Sequence, residues 1–534
     1  MLRACRAKVL WQTTERYELR SPELVWKRIW PSRPRGCYVL ASCLVICTVL
    51  LVAACACMFA QSDATGASTS DAVLRLYLKR PGDEFGAGAV GLSTETRELS
   101  TGRLSARHAS LVRLMRLLGP SVLRIGGNSV DASWWSSTGE PPPSWASATV
   151  TPADLSALGG LLTQTGWRVL LGVDLGHFDP SRAASEARDA REILGAKLMG
   201  VEVGNEPDAF GDEEVDLRAS SYSVGEYLRE AEAYRRAIRE SAPGVAIYGP
   251  ATARTGWLTG IGAAAHMFSG ITQHYYPTST CPSAPASRPE PTAGGLLSLA
   301  VRQNENEVLA ALAQAGTVAG RSARIGETNG VACTSSPSAS PTLASALWAF
   351  DWALRASASG VTGLNFHGEL GVCNPYSPSP ICVPSAVRSR ATEVTAQPEY
   401  YGLLAASRLE GGRFVPAHLA APEPLPNITT WATLASDGSV TIAIDDLATS
   451  GVAQPVSIPT SGYRTTEEIL AAPSAEAKSG VTFGNASVTS AGVWRPVPER
   501  SRRHRVLDLI VRPASAVIVS LRREGREGRR RPGG

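Results

Sequence analysis

The sequence predicts an α/β protein, a (β/α)8 TIM barrel with a C-terminal antiparallel β-sandwich domain. Three observations carry this expectation. Between about residues 85 and 370, short apolar runs alternate with helical stretches, the pattern of parallel strands buried on both faces. Past residue 398 the texture changes to short alternating strands and turns. The length of 534 residues exceeds one ordinary core and suits a barrel of roughly 250–350 residues with a smaller partner.

Eight strands are expected near 89–94, 122–127, 168–174, 199–204, 244–249, 270–276, 322–327 and 360–367. The clearest helix is VGEYLREAEAYRRAIRES (224–241), with charges at helical spacing. Pro/Ser-rich segments at 277–297, 331–342 and 373–397 each follow a barrel strand and read as the βα loops that surround a barrel's site. The barrel is assigned to 85–397 and the β-sandwich to 398–521, where ITTWATLASDGSVTIAIDD (428–446) is a hairpin about Asp437-Gly438. The alternating VLRLYL (73–78), within the stalk segment 61–84, is placed to complete a sheet from the N-terminal side.

The run Cys37–Ala60 holds no charge over 24 residues, long enough to cross a bilayer. Residues 1–36 carry nine Lys/Arg against three Asp/Glu, so the positive-inside rule leaves the N-terminus cytoplasmic and the rest lumenal or extracellular, as a single-pass type II membrane protein. A cleaved signal peptide is the competing reading; the long basic n-region and long apolar run favour an uncleaved anchor. Six of the ten cysteines lie at or before residue 57, and Cys281, Cys333, Cys373 and Cys382 sit in loops suited to disulfides, with 373 and 382 the nearest pair and the pairing open. Sequons at Asn427 and Asn485 agree with that compartment.

The net charge of +4 is the balance of +6 on residues 1–36, +8 on 500–534 and −10 on the body between them. A nucleic-acid binder would carry its basic stripe on the folded domain, so that class is excluded. The tail 522–534 reads as a disordered basic end. GAGAVG (86–91) lacks a preceding strand and is no dinucleotide fingerprint. No His-Glu-x-x-His, Cys-x-x-Cys pair or acidic calcium loop follows the apolar run, and neither a metal nor a cofactor is implied.

Two motifs carry chemistry. VEVGNEPD places Glu206 just past the fourth strand beside Asn205, and RIGETNG places Glu327 at the end of the seventh. Strands four and seven lie across a barrel mouth from each other, so these carboxyls can approach the roughly 5 Å separation of a retaining glycosidase.

Taken together, LRIGGNSVDASWW, VGNEP, QHYYP, RIGETN, SALWAFDWALRASASGVTGLNFHG, PEYYGLL and GVTFGNASVTSAGVWRP resemble, in order, glycoside hydrolase family 79, the β-glucuronidase and heparanase family, over about residues 73–521. The resemblance implies Glu206 as general acid/base and Glu327 as nucleophile. It further implies that Asn205 contacts the sugar 2-hydroxyl, Glu95 binds the terminal sugar, and Arg124 orients the nucleophile from beneath. Tyr275 would hydrogen-bond the nucleophile, and Tyr376 would close over the sugar carboxylate. His274 and His367 read as packed strand-end histidines. One departure stands out: ETNGVACTSSPSAS places Cys333 and Thr334 near where members carry a Gly-rich turn whose N–H groups bind the glucuronate carboxylate.

The expected activity is therefore exo-acting hydrolysis of terminal β-glucuronic acid from a glycan with retained configuration. The rivals are an endo-acting heparanase-like hydrolase, a neutral-sugar β-glycosidase of the same clan, and a membrane-tethered glycan-binding protein without catalysis.

Overall fold

The computed structural model describes residues 72–282, 284–333, 339–373, 378–384, 394–497, 499–500 and 505–523. The apolar run 37–60 and Tyr376 lie outside them, as do residues 524–534 of the tail. Among the described residues no helix is long and apolar enough to cross a membrane.

Eight parallel strands close a barrel in chain order: β1 (Val90–Glu95), β2 (Val122–Gly126), β3 (Arg168–Val173), β4 (Leu198–Val203), β5 (Ile247–Thr252), β6 (Gly270–Tyr275), β7 (Ser322–Thr328) and β8 (Leu364–His367). Strand β5 runs later than the predicted 244–249, because Pro250 lies inside it rather than ending it. A proline is admitted to a central strand only at an irregularity. Here the register to β6 shifts between Thr272 and Gln273, and Thr272 Oγ1 accepts the next amide, Ala251 N–H, at 3.1 Å.

Helix Val224–Ser241 coincides with the predicted span and starts at a capping box, in which Ser223 N–H and Oγ both donate to Glu226. Val122, Leu170 and Tyr248 form a small apolar floor inside the barrel. Above that floor the interior is polar, with Arg124, Glu202, Thr272 and Asn365 completely buried. A polar interior this deep requires mutual pairing, and that pairing builds the site described below.

The second module is a sandwich of two sheets. One sheet orders Ala417–Ala420, Ala72–Leu76, Gln454–Pro459 and Val506–Val511; the other is built around Ile428–Leu434, Val440–Asp446, Ser515–Arg523 and Tyr463–Ala471. The early strand Ala72–Leu76 does join from the N-terminal side, antiparallel to Ala417–Ala420. Leu74, Val440, Ile442, Ile444, Val456 and Val519 interdigitate between the sheets. Alternate residues of the larger sheet, Ala443, Ala516 and Ile518, belong instead to the barrel's core, which is why Ser515–Arg523 reads as a continuous apolar run. The hairpin turn is as expected: Gly438 takes φ 82° and Asp437 Oδ1 accepts Ser439 N–H at 2.8 Å. Arg522 and Arg523, assigned to the tail from sequence, extend the last strand.

Segment 398–406, expected to open the β region, is a helix, Pro398–Ala406, buried along its whole length. It packs on Leu343–Ala358, the helix between β7 and β8. Pro398 at its first turn is a helix-start signal, outweighed in the sequence reading by the β texture that follows.

Candidate active site

The site grows from the buried interior toward the C-terminal rim. Arg124 on β2 is fully buried and donates Nε–H to Glu202 Oε2 at 2.7 Å, Nη1–H to Glu327 Oε2, and Nη2–H to Asn205 Oδ1 at 2.9 Å. A guanidinium cannot shed its proton, and its planar fork suits several acceptors at once. Glu202 on β4 and Glu327 on β7 share its charge from opposite walls. The two glycines after it are required by space: a Cβ on Gly126 would stand 2.4 Å from Arg124 Cζ, and one on Gly127, at φ 66°, would stand 2.5 Å from a Glu95 carboxylate oxygen. The RIGG run thus makes room for two neighbouring charged groups.

Glu327 is buried, and its second oxygen, Oε1, accepts the Tyr276 hydroxyl at 2.7 Å. Burial alone would push its carboxyl up. The surroundings, His367 first, then His274 and Arg124, together with the Tyr276 bond, instead hold it well below the usual carboxylate range. Tyr276 stays a protonated donor, its phenol pushed up by burial and by the Glu327 charge. His367 at the end of β8 lies 3.6 Å from Glu327 and 3.5 Å from Glu95. Burial would lower its pKa, but the two carboxylates win and raise it. Glu95, ending β1, also accepts Ser129 N–H at 2.8 Å, and its carboxyl is lowered because these partners outweigh burial.

Glu206 follows β4 in the left-handed region, φ 47°, its amide held by Ala251 O at 2.9 Å. Such a conformation costs a non-glycine residue about 1–3 kcal/mol and is tolerated where a side chain must be aimed. Its Oε1 lies 2.9 Å from His274 Nδ1. The other ring nitrogen, Nε2, is 3.3 Å from Arg124 Nη2. Since a guanidinium only donates, His274 Nε2 accepts, and Nδ1–H donates to Glu206. Ligand atoms of Glu206, His274 and Glu327 all fall within 4.8 Å of one another, so the two carboxylates face each other across a gap close to the roughly 5 Å of a double-displacement site. These three atoms could also be imagined around a cation. However, Arg124 and Tyr276 already occupy the oxygens of Glu327, and His274 turns a proton, not a lone pair, toward Glu206.

The structure brings five expected residues, Glu95, Arg124, Asn205, Glu206 and Glu327, into one network; Glu95, Glu206 and Glu327 line a cleft of about 550 Å³. Asn205 donates Nδ2–H to Asn128 Oδ1 at 3.1 Å while accepting from Arg124. Tyr275 is a correction: among the described residues its hydroxyl has no hydrogen-bond partner, and its ring packs 5.0 Å from Trp352 of helix Leu343–Ala358. The reason is the two-residue period of a strand, which turns His274 and Tyr276 inward and Tyr275 outward. The sequence reading missed Tyr276 and treated His274 and His367 as packing residues. The signal was present, since His274 and Tyr276 share a face by parity, and His274 stands opposite Glu327 in the β6–β7 register.

Two disulfides order the rim, Cys281–Cys333 and Cys373–Cys382. The first joins the loop after β6 to the turn after Glu327, where Thr278–Ser279 also pairs with Val331–Ala332.

Among known proteins, no family model and no curated sequence matches this chain. Solved structures do. A 4-O-α-L-rhamnosyl-β-D-glucuronidase from Fusarium oxysporum 12S superposes with TM-score 0.64 at 18% identity, covering 84% of this chain and all of that one. The family 51 arabinofuranosidase of Xanthomonas axonopodis pv. citri gives 0.60 at 15% identity, over 85% and 100%. The α-L-arabinofuranosidase of Thermotoga maritima gives 0.59 at 14%, over 84% and 99%. At these identities the likeness is one of fold: this chain shares the barrel-and-β-domain architecture of glycoside hydrolases.

Proposed function

We propose that this protein is a retaining β-glycosidase that removes terminal β-glucuronic acid from a glycan, with Glu206 as acid/base and Glu327 as nucleophile. The observation that carries the reading is the pair of strand-end carboxylates within 4.8 Å, one held ionised by Arg124, His367 and Tyr276. Glu206 gives its proton to the leaving oxygen as Glu327 attacks the anomeric carbon, forming a glycosyl ester. Glu206, now a carboxylate, takes a proton from water, which attacks the same carbon and frees Glu327. His274 holds Glu206 by one oxygen, leaving the other to face the leaving group.

The glucuronidase among the structural neighbours supports a uronic acid as substrate. The cleft itself argues against a long polyanion such as heparan sulfate, because Arg288 is the one Lys or Arg among its described lining residues and the body carries −10. The arabinofuranosidases favour the second reading, a neutral sugar. For placement, we propose a lumenal or extracellular catalytic domain anchored by residues 37–60, a reading supported by the uncharged run and by two disulfides. The test of activity is a panel of aryl β-glycosides. Turnover of the glucuronide, lost by several orders of magnitude in Glu206→Gln and in Glu327→Gln, is the expected result. Turnover of a neutral glycoside alone would move the assignment to the second reading, and turnover that survives both substitutions would overturn it.

A further inference from the structure

The carboxylates of the cleft are already spoken for: Glu327 by Arg124, Glu95 by His367, Glu206 by His274, and Glu369 by Arg97 at 2.5 Å. One cation on the cleft wall is not. Arg288, in the loop after β6, lines the same cavity, and among the described residues its guanidinium makes no ion pair or side-chain hydrogen bond. Only its backbone is tied, Arg288 N–H donating to Pro285 O at 3.0 Å. Its charge is felt at the nearby Tyr275 phenol.

The loop that carries it is not free to swing at its root. The Cys281–Cys333 disulfide and the Thr278–Ser279 pairing with Val331–Ala332 fasten it to the turn that follows Glu327. Thr280 adds a backbone donation to Ala332 O at 3.2 Å. Arg288 is exposed to the cavity with no carboxylate paired to it among the described residues, so its guanidinium is available to an anionic group on a bound ligand.

We propose that Arg288 is a specificity residue that binds an anionic group, a carboxylate or a sulfate, on the sugar occupying the cleft. This rests on the glycosidase reading for its substrate class, but not on which sugar is cleaved. Arg288 presents up to five donors and matches either planar carboxylate or sulfate oxygens. It touches neither Glu206 nor Glu327 by any hydrogen bond, so its contribution is to binding and not to bond cleavage.

The test uses the full chain and needs no turnover. Titration calorimetry measures glucuronate, glucose and glucose 6-sulfate binding to the wild type and to Arg288→Ala, with Arg288→Lys as a charge-retaining check. The expected result is that the wild type prefers an acidic sugar to glucose by about tenfold, that Arg288→Ala removes the preference while leaving glucose binding unchanged, and that Arg288→Lys restores part of it. Preference for glucuronate supports both Arg288 and the glucuronide reading. Preference for glucose 6-sulfate alone, lost in Arg288→Ala, supports Arg288 and removes the glucuronide reading. Equal binding of charged and neutral sugars by the wild type, or an acidic preference that survives Arg288→Ala, overturns the proposal.

Discussion

Replacing Tyr276 by Phe and, separately, Tyr275 by Phe removes the same atom from two adjacent residues, and the structure predicts opposite outcomes. The Tyr276 hydroxyl donates to Glu327 Oε1 at 2.7 Å, and a hydrogen bond to a charged group contributes about 1.5–3 kcal/mol. Losing it should raise the Glu327 pKa and weaken a bond that positions the nucleophile. The expected loss in kcat/KM on an aryl β-glucuronide is about 10- to 100-fold. The acid limb of the pH profile should move to higher pH, because Glu327 must be ionised to attack and now holds its proton longer. The Tyr275 hydroxyl is buried without a partner among the described residues, so Tyr275→Phe should leave kcat/KM within about twofold and leave stability unchanged or slightly higher. Steady-state kinetics across pH and thermal melts measure all of this. Loss of activity in Tyr275→Phe with Tyr276→Phe unaffected would refute the inward–outward assignment of β6.

Arg124→Met should destabilise the fold by about 3–5 kcal/mol in urea unfolding, since it leaves Glu202 and Glu327 buried without their cation. Gly127→Ala should lower both stability and activity by forcing the Glu95 carboxylate aside at a φ of 66°; a variant with wild-type melting and kinetics would contradict that packing. His367 has a raised pKa between Glu95 and Glu327, so its stabilisation is fully present below the ordinary value of 6.5 and is lost as pH rises through the folded value. Melting temperature should accordingly fall over that alkaline range in the wild type, and the fall should shrink in His367→Gln.

Much of this was legible in the sequence, for reasons that also explain what was not. The barrel strands announce themselves because each is buried on both faces, and the two glutamates because they end such strands next to Asn205 and before Asn329. Tyr275 was chosen over Tyr276 because a motif names both tyrosines, whereas only the pleat distinguishes them. The histidines looked like packing because burial and function coincide there: His274 is 1% exposed yet holds the acid/base by a single bond. Helix Pro398–Ala406 hid because it is buried all round, having neither solvent face nor amphipathic period. Arg288 carries no sequence signal at all; its meaning lies in the cavity it lines and in having no paired carboxylate among the described residues.

The account's central claim is that Glu327 forms a covalent bond to the sugar while Glu206 serves as acid and base. Incubation with a 2-deoxy-2-fluoro-β-glucuronosyl fluoride, followed by peptide mass spectrometry, tests it directly, because the fluorine slows release of the intermediate more than its formation. The predicted result is one adduct per chain on the peptide bearing Glu327, absent in Glu327→Gln. An adduct on Glu206 would contradict the account, as would continued hydrolysis of an aryl β-glucuronide by inversion with no adduct on either residue.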